Sequence, residues 1–324
     1  MGTLIRHEPL ARHTSYGIGG PADYLVIAET VADLRRWLAW GRERGLPLTL
    51  LGHGSNVLVA DAGVQGLVIV NQVQGVKYAS QVTDHRSQVA GHGGQEPRIP
   101  PSHTVAASRI PMVCLRVASG TPLSDLAYWA VSRGLAGLEW ATGIPGTVGG
   151  AVVGNAGAFG GYMGDVVRHL TVLGADDTVR ELAAADCGFA YRTSAFKGSR
   201  GTERRGDVIL EVELELRPGD ESELWARVEE YNIRRDATQP REPSAGSVFK
   251  RTAQHPAGWL IEQAGLKGRC KGDACISPVH ANFIINRGQA TAADVRFLIE
   301  LARQRVWEQF GEKLELEIEL LGEW

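Results

Sequence analysis

Two stretches carry the residue types that bind anions through the main chain. The longer covers residues 143–160, Gly-Ile-Pro-Gly-Thr-Val-Gly-Gly-Ala-Val-Val-Gly-Asn-Ala-Gly-Ala-Phe-Gly, and the shorter covers residues 52–56, Gly-His-Gly-Ser-Asn. Glycine enters positive-φ turns at little cost and lets backbone approach a ligand closely. Successive N–H groups in such loops form a concavity suited to phosphate oxygens. Gly143, Ile144, Pro145, Gly146, Thr147, Gly149 and Gly150 are the candidates in the first loop. Gly52, His53, Gly54, Ser55 and Asn56 are those in the second, where the Ser55 hydroxyl and Asn56 amide add side-chain donors. Two readings stand side by side: a main-chain cradle for a diphosphate, or a packed core segment and a plain hairpin turn. A membrane span is the other rival, but nine glycines between Gly143 and Gly164, with Pro145, argue against a stable helix there.

The elements around these loops alternate between strand and helix. Residues 24–28 read as a strand after an irregular lead-in, and residues 31–44 as a helix with Val31, Leu34 and Leu38 in its apolar stripe. Strands at 46–51 and 57–60 flank the short glycine loop. A strand–turn–strand is not the dinucleotide fingerprint, which needs a helix opening at its second or third glycine. Further strands are expected at 67–71, 112–119 and 166–173, with a helix after Thr121 as N-cap and Pro122 in its first turn. Residues 208–216 alternate cleanly, with Val208, Leu210, Val212, Leu214 and Leu216 against Glu211, Glu213 and Glu215. Beyond Arg217-Pro-Gly-Asp220, helices at 221–236 and 256–264 and a strand at 281–286 follow. Thr291 and Asp294 then form a capping box for a long helix closed by Gly311. The last strand, 314–320, puts Glu315, Glu317 and Glu319 on one face, which on bare pattern reads as a solvated edge. Arg192, among the aromatics of residues 189–196, reads as a cation–π partner or a surface residue.

Composition narrows the class. With 34 basic against 37 acidic residues the net charge is −3, so no electrostatic case exists for nucleic acid or an anionic membrane. No apolar run follows a basic start, and the expected location is the cytoplasm. Cys114, Cys187, Cys270 and Cys275 are too few and scattered for a disulfide framework and read as thiols in a reducing compartment. No metal site is expected: Cys270 and Cys275 lack a second pair. His85, His92 and His103 fall at no ligand spacing within a polar insertion over residues 77–111. The fold class is α+β, in three parts: residues 1–75, 76–217 and 218–324.

Taken in order, the motifs resemble those of the UDP-N-acetylenolpyruvoylglucosamine reductases. The likeness spans nearly the whole chain outside the insertion. It rests on His13-Thr-Ser with Ile18-Gly-Gly-Pro-Ala22, Leu51-Gly-His-Gly-Ser-Asn-Val-Leu-Val59, Gly134-Leu-Ala-Gly-Leu-Glu139 and Gly143-Ile-Pro-Gly-Thr-Val-Gly-Gly150. It continues through Asn155-Ala-Gly157, Tyr191-Arg-Thr-Ser194, Ala245-Gly-Ser-Val-Phe-Lys250 and Ala257-Gly-Trp-Leu-Ile-Glu262. The resemblance implies a two-part FAD-binding fold of vanillyl-alcohol-oxidase type, then a carboxy-terminal α/β substrate domain, in the shorter subgroup of the family. The two glycine loops would hold the FAD diphosphate non-covalently, His53 included, with NADPH as hydride donor. The partner would be a UDP-sugar, and the chain a monomer.

The resemblance also assigns roles. Arg192 would stabilise charge developing on the enolpyruvyl carboxylate, with Glu317 beside it, and Ser247 would deliver a proton. Tyr191, Lys250 and Arg251 would bind substrate. Departures are visible: Arg251-Thr252 stands where the family often has Asn-Pro, Gly154 where methionine is common, and Phe159 where tyrosine is. Arg251 is expected to replace the missing amide by pairing with phosphate. Two other functions remain: an FAD-dependent oxidase sharing the flavin fold, and a non-catalytic flavin or nucleotide-sugar binder.

Overall fold

The computed structural model describes residues 3–79, 112–197 and 206–324. A first sheet has the strand order Ile5–Pro9, Pro21–Ala28, Val64–Asn71, Leu48–Leu51. Two of its three pairings are parallel, and the one at the Ile5–Pro9 edge is antiparallel. Helix α1, Val31–Glu43, starts where the Thr30 side chain accepts from the Asp33 N–H, and it buries Leu34 and Leu38 over Leu67 and Ile69. The edge strand Ile5–Pro9 precedes the irregular lead-in, and the second strand begins at Pro21, inside it.

A second, six-stranded sheet is antiparallel around the long strand Val208–Pro218, which has Val167–Leu173 on one side and Val113–Ala118 on the other. The expected alternation holds here: Val212, Leu214 and Leu216 are buried, while Glu211 and Glu213 pair with Arg116. Helix α2, Leu123–Val131, covers this sheet, but Thr121 is not its cap. The Thr121 hydroxyl is taken by the Gly75 peptide, and Pro122 occupies the cap position without a side-chain bond. Lys77 and Tyr78, expected in the insertion, belong to strand Val76–Tyr78, paired with Val113–Ala118. The rest of that insertion from residue 80 on, with His85, His92 and His103, lies outside the described residues, as do residues 198–205.

The glycine run also differs from expectation. It contains a seven-residue helix α3, Val148–Gly154, capped by Thr147 and ended by Asn155 at φ 42°. Val148, Ala151 and Val152 are buried in the core of the second sheet, so tertiary packing outweighs the cost of three glycines. Helix α4, Glu221–Thr238, packs on the same unit through Leu224 and Val228 against Val131.

The remaining chain forms a four-stranded sheet in the order Ser244–Ser247, Phe283–Asn286, Ala274–Ile276, Cys270–Lys271, with helices α5, Ala257–Gln263, and α6, Ala292–Phe310. The capping box of Thr291 and Asp294 and the left-handed Gly311 end are both present. The expectation of four thiols is corrected here. A turn at Gly272 sets Cys270 opposite Cys275 across a hairpin, and the two are joined as a disulfide. The acidic strand is shorter than its pattern: only Glu319–Leu321 pairs as a strand, in parallel with Val57–Val59 of the first unit. Among the described residues no helix is long and apolar enough to cross a membrane.

Candidate active site

The two glycine loops are built against one another. Gly52 approaches Thr147 so closely that a Cβ would stand 2.5 Å from Thr147 Oγ1, and a Cβ on Gly146, at φ 131°, would stand 2.9 Å from Ser55 Oγ. Gly54 has φ 58°, and its Cβ would meet the His13 carbonyl. The Ser55 hydroxyl donates to the Pro145 carbonyl at 3.1 Å, and the Asn56 amide donates to the Glu317 carbonyl at 3.2 Å. Both side chains expected to face phosphate are therefore engaged within the protein. The main chain is left to do it: among the described residues the N–H groups of His53, Gly54, Ser55, Asn56, Gly146 and Thr147 reach no protein acceptor.

The other candidate amides are committed. Gly143 N–H donates to Ser124 Oγ, Ile144 to the Ala141 carbonyl, Gly149 to the Ser119 carbonyl and Gly150 to Thr147 Oγ1. Pro145 has no N–H to offer. Arg235, which the sequence pattern does not single out, lies against Gly143, with its buried Nε lacking a partner among the described residues. Unpaired amides, glycines that no larger residue replaces and a nearby cation fit a bound dinucleotide diphosphate.

Behind this cradle the chain assembles charged groups. Ala190 and Thr193 exchange main-chain hydrogen bonds, forming a tight turn with Tyr191 and Arg192 at its tip. The turn is fixed to the end of α3 by Asn155 Nδ2 donating to the Ala190 carbonyl, 2.9 Å, and Ser194 Oγ donating to the Val153 carbonyl, 2.8 Å. Arg192 sits at φ 55°, a left-handed conformation that costs a non-glycine residue about 1–2 kcal/mol. From the other side, residues 248–250 run antiparallel to residues 315–317: Glu317 N–H donates to the Val248 carbonyl and Lys250 N–H to the Glu315 carbonyl. Asn282 accepts from Phe249 N–H and donates to its carbonyl, holding this segment in place.

These two supports bring Arg192 Nε to 2.8 Å from Glu317 Oε1. The contact is an ion pair without an aligned hydrogen bond, because the Nε–H does not point at the carboxylate. Burial raises the Glu317 pKa above the usual glutamate range, against the pull of Arg192, Lys197 and Lys250, which lower it. The solvated edge expected for the three glutamates is thus corrected: Glu315 is largely exposed, while the Glu317 side chain keeps 15% exposure. The pair lines a pocket of about 350 Å³ together with Ser247, Tyr191 and Arg251. Arg251 N–H reaches the Tyr191 hydroxyl at 3.4 Å, and the Arg192 guanidinium lies 5.7 Å from the Tyr191 ring centre. Trp259, Glu262 and His280 also line the pocket. Lys250 does not line it; its ammonium is 3.7 Å from Glu315. Lys197, which the sequence pattern does not single out, lies half-buried, with its ammonium donating to the Arg192 and Glu317 carbonyls.

Comparison with known proteins fits this geometry. Residues 111–183 match the FAD binding domain family and residues 239–321 match the carboxy-terminal domain of UDP-N-acetylenolpyruvoylglucosamine reductase. The fold is that of an FAD-dependent oxidoreductase, with an FAD binding domain followed by the carboxy-terminal domain of the reductase family. The chain is 42% identical over 322 residues to UDP-N-acetylenolpyruvoylglucosamine reductase 2 of Symbiobacterium thermophilum, covering 99% of this chain and 93% of that protein. It is 41% identical to the reductase of Moorella thermoacetica, covering 99% of this chain and 94% of that protein. The crystal structure of the Thermus caldophilus reductase superposes with a TM-score of 0.74 at 33% identity, covering 99% of each chain. The chain belongs to the UDP-N-acetylenolpyruvoylglucosamine reductase family.

Proposed function

We propose that Arg192, Ser247 and Glu317 carry the reduction of the enolpyruvyl ether of a UDP-sugar, the family reaction that yields UDP-N-acetylmuramate for peptidoglycan precursor synthesis. The observation that supports this most is their meeting in one pocket, which Asn56 ties to the glycine loop suited to FAD. When bound, FAD supplies hydride chemistry between NADPH and the methylene carbon of the substrate. Hydride addition there leaves negative charge spread over the neighbouring carbon and the carboxylate. The Arg192 guanidinium is held in place before the charge develops, so it stabilises that charge without reorganising. Glu317 keeps Arg192 oriented and adds the charge that matches it in the absence of substrate. Ser247 delivers a proton to the carbanion; its hydroxyl is a weak acid toward water but an adequate one toward an enolic carbanion within hydrogen-bond reach.

The FAD diphosphate is expected on the amides of residues 53–56 and 146–147, with Gly52, Gly143, Ile144, Pro145, Gly149 and Gly150 shaping the loops. Tyr191 and Arg251 face the nucleotide diphosphate, and Lys250 adds positive charge from outside the pocket. The parts 1–75 and 76–217 act as the flavin unit and 218–324 as the substrate unit, in a cytoplasmic monomer. One assay tests the reading. Purified protein is given NADPH anaerobically, its flavin spectrum is recorded, and the enolpyruvyl nucleotide sugar is added. Bleaching by NADPH and recovery with the sugar support it. Recovery only in air points to an oxidase, and absence of flavin to a binding protein.

A further inference from the structure

We propose that Lys197 is a positioning residue of this reaction: its ammonium ties the Arg192 and Glu317 main chains together and thereby sets the spacing of the pair that meets the substrate. The inference rests on the reading that Arg192 and Glu317 act on the substrate. Lys197 Nζ donates to the Arg192 carbonyl at 3.2 Å and to the Glu317 carbonyl at 3.3 Å. Arg192 sits at a turn tip and Glu317 just ahead of a strand, on segments 125 residues apart (317 − 192). The turn is anchored to α3 and Glu317 to residues 248–250, so each has its own support, and Lys197 bridges the two.

A merely structural role accounts poorly for a lysine here. Among the described residues no carboxylate lies within ion-pair distance of its ammonium, whose acceptors are two neutral carbonyls. Burying a charge against dipoles alone is unfavourable compared with an apolar side chain of the same length. The charged groups facing it are Glu317 and Glu319, which favour the ammonium, and Lys250 and Arg192, which oppose it; burial outweighs the rest and lowers its pKa. The same ammonium is one of three cations that hold the Glu317 pKa down, with Arg192 and Lys250. Lys197 thus acts on geometry through the two carbonyls and on Glu317 through charge.

The test uses the full-length FAD-loaded enzyme. Lys197→Met should cut kcat for sugar-dependent flavin reoxidation about 100-fold, the size expected from a displacement near 1 Å, with KM for the sugar little changed. Lys197→Arg, which keeps charge and donors, should recover most of it. In the pH profile, the ionisation that Glu317→Gln removes should move upward in Lys197→Met and stay in place in Lys197→Arg. If the methionine variant fails to hold FAD, Lys197→Gln, with donors but no charge, should show the same upward shift. Wild-type kcat in a flavin-loaded Met or Gln variant overturns the inference, as does a loss with no shift of the ionisation and no recovery in the arginine variant. Arg192→Met and Glu317→Gln are run alongside. If both reoxidise at wild-type rates, the underlying reading fails; if they are slow while Lys197→Met is not, only the role of Lys197 fails.

Discussion

Asn56 and Glu317 join the glycine loop of residues 52–56 to the pocket that Arg192 and Ser247 line: Asn56 Nδ2 donates to the Glu317 carbonyl at 3.2 Å, and the Asn56 carbonyl accepts from Glu319 N–H at 2.9 Å. The loop proposed to present amides to the diphosphate therefore also fixes the segment that carries the Glu317 carboxylate. Asn56→Ala removes one such bond, worth about 1 kcal/mol, so kcat should fall several-fold while FAD affinity changes little. Steady-state kinetics beside a flavin titration checks this. Selective loss of FAD with kcat intact would instead assign the amide to the cofactor.

The loop contact between Gly146 and Ser55 leaves no room for a side chain. Gly146→Val should place branched carbons against Ser55, force a residue from φ 131° and push the loops apart. The purified variant should be largely flavin-free, with FAD affinity reduced by a factor of about 100 or more if the distortion costs about 3 kcal/mol. Fluorescence titration with FAD reads this out, and wild-type affinity would count against the cradle.

Ser247 stands at the end of strand Ser244–Ser247, directly after Gly246 at φ 74°, and faces the pocket. Ser247→Ala should leave flavin reduction by NADPH intact and slow reoxidation by the sugar by about 10²–10⁴, the range for losing a general acid. Rapid mixing separates the two half-reactions. Equal slowing of both removes Ser247 from the proton step.

Glu317 has a raised pKa, with burial outweighing its three cationic neighbours. A carboxyl raised in this way keeps its proton to higher pH than an exposed glutamate. The ionised partner that orients Arg192 is then lost as pH falls through that raised value, and the acidic limb of the sugar half-reaction should lie above the ordinary glutamate range. A profile of rate against pH should lose this limb in Glu317→Gln. A limb unchanged in the glutamine variant belongs to another group.

Much of this architecture is readable from sequence because local pattern and burial agree. The alternation over residues 208–216 and the capping box at Thr291 both appear as expected. The glycine run shows where local rules stop. Its propensities speak against a helix, yet Val148, Ala151 and Val152 find a core that repays one. The site behaves the same way. Glu315, Glu317 and Glu319 are alike in pattern, and only the pairing of 315–317 with 248–250 turns the middle one inward toward Arg192. Lys197 and the Cys270–Cys275 disulfide depend on contacts that no periodicity records.

The most direct test of the account is a crystal structure of the FAD-loaded enzyme with the enolpyruvyl nucleotide sugar bound. The account predicts the enolpyruvyl carboxylate on the Arg192 guanidinium, Ser247 Oγ within hydrogen-bond reach of the carbon that takes the proton, and the flavin diphosphate on the amides of residues 53–56 and 146–147. A sugar whose enolpyruvyl group lies away from Arg192 and Ser247, or a diphosphate held elsewhere, would contradict it.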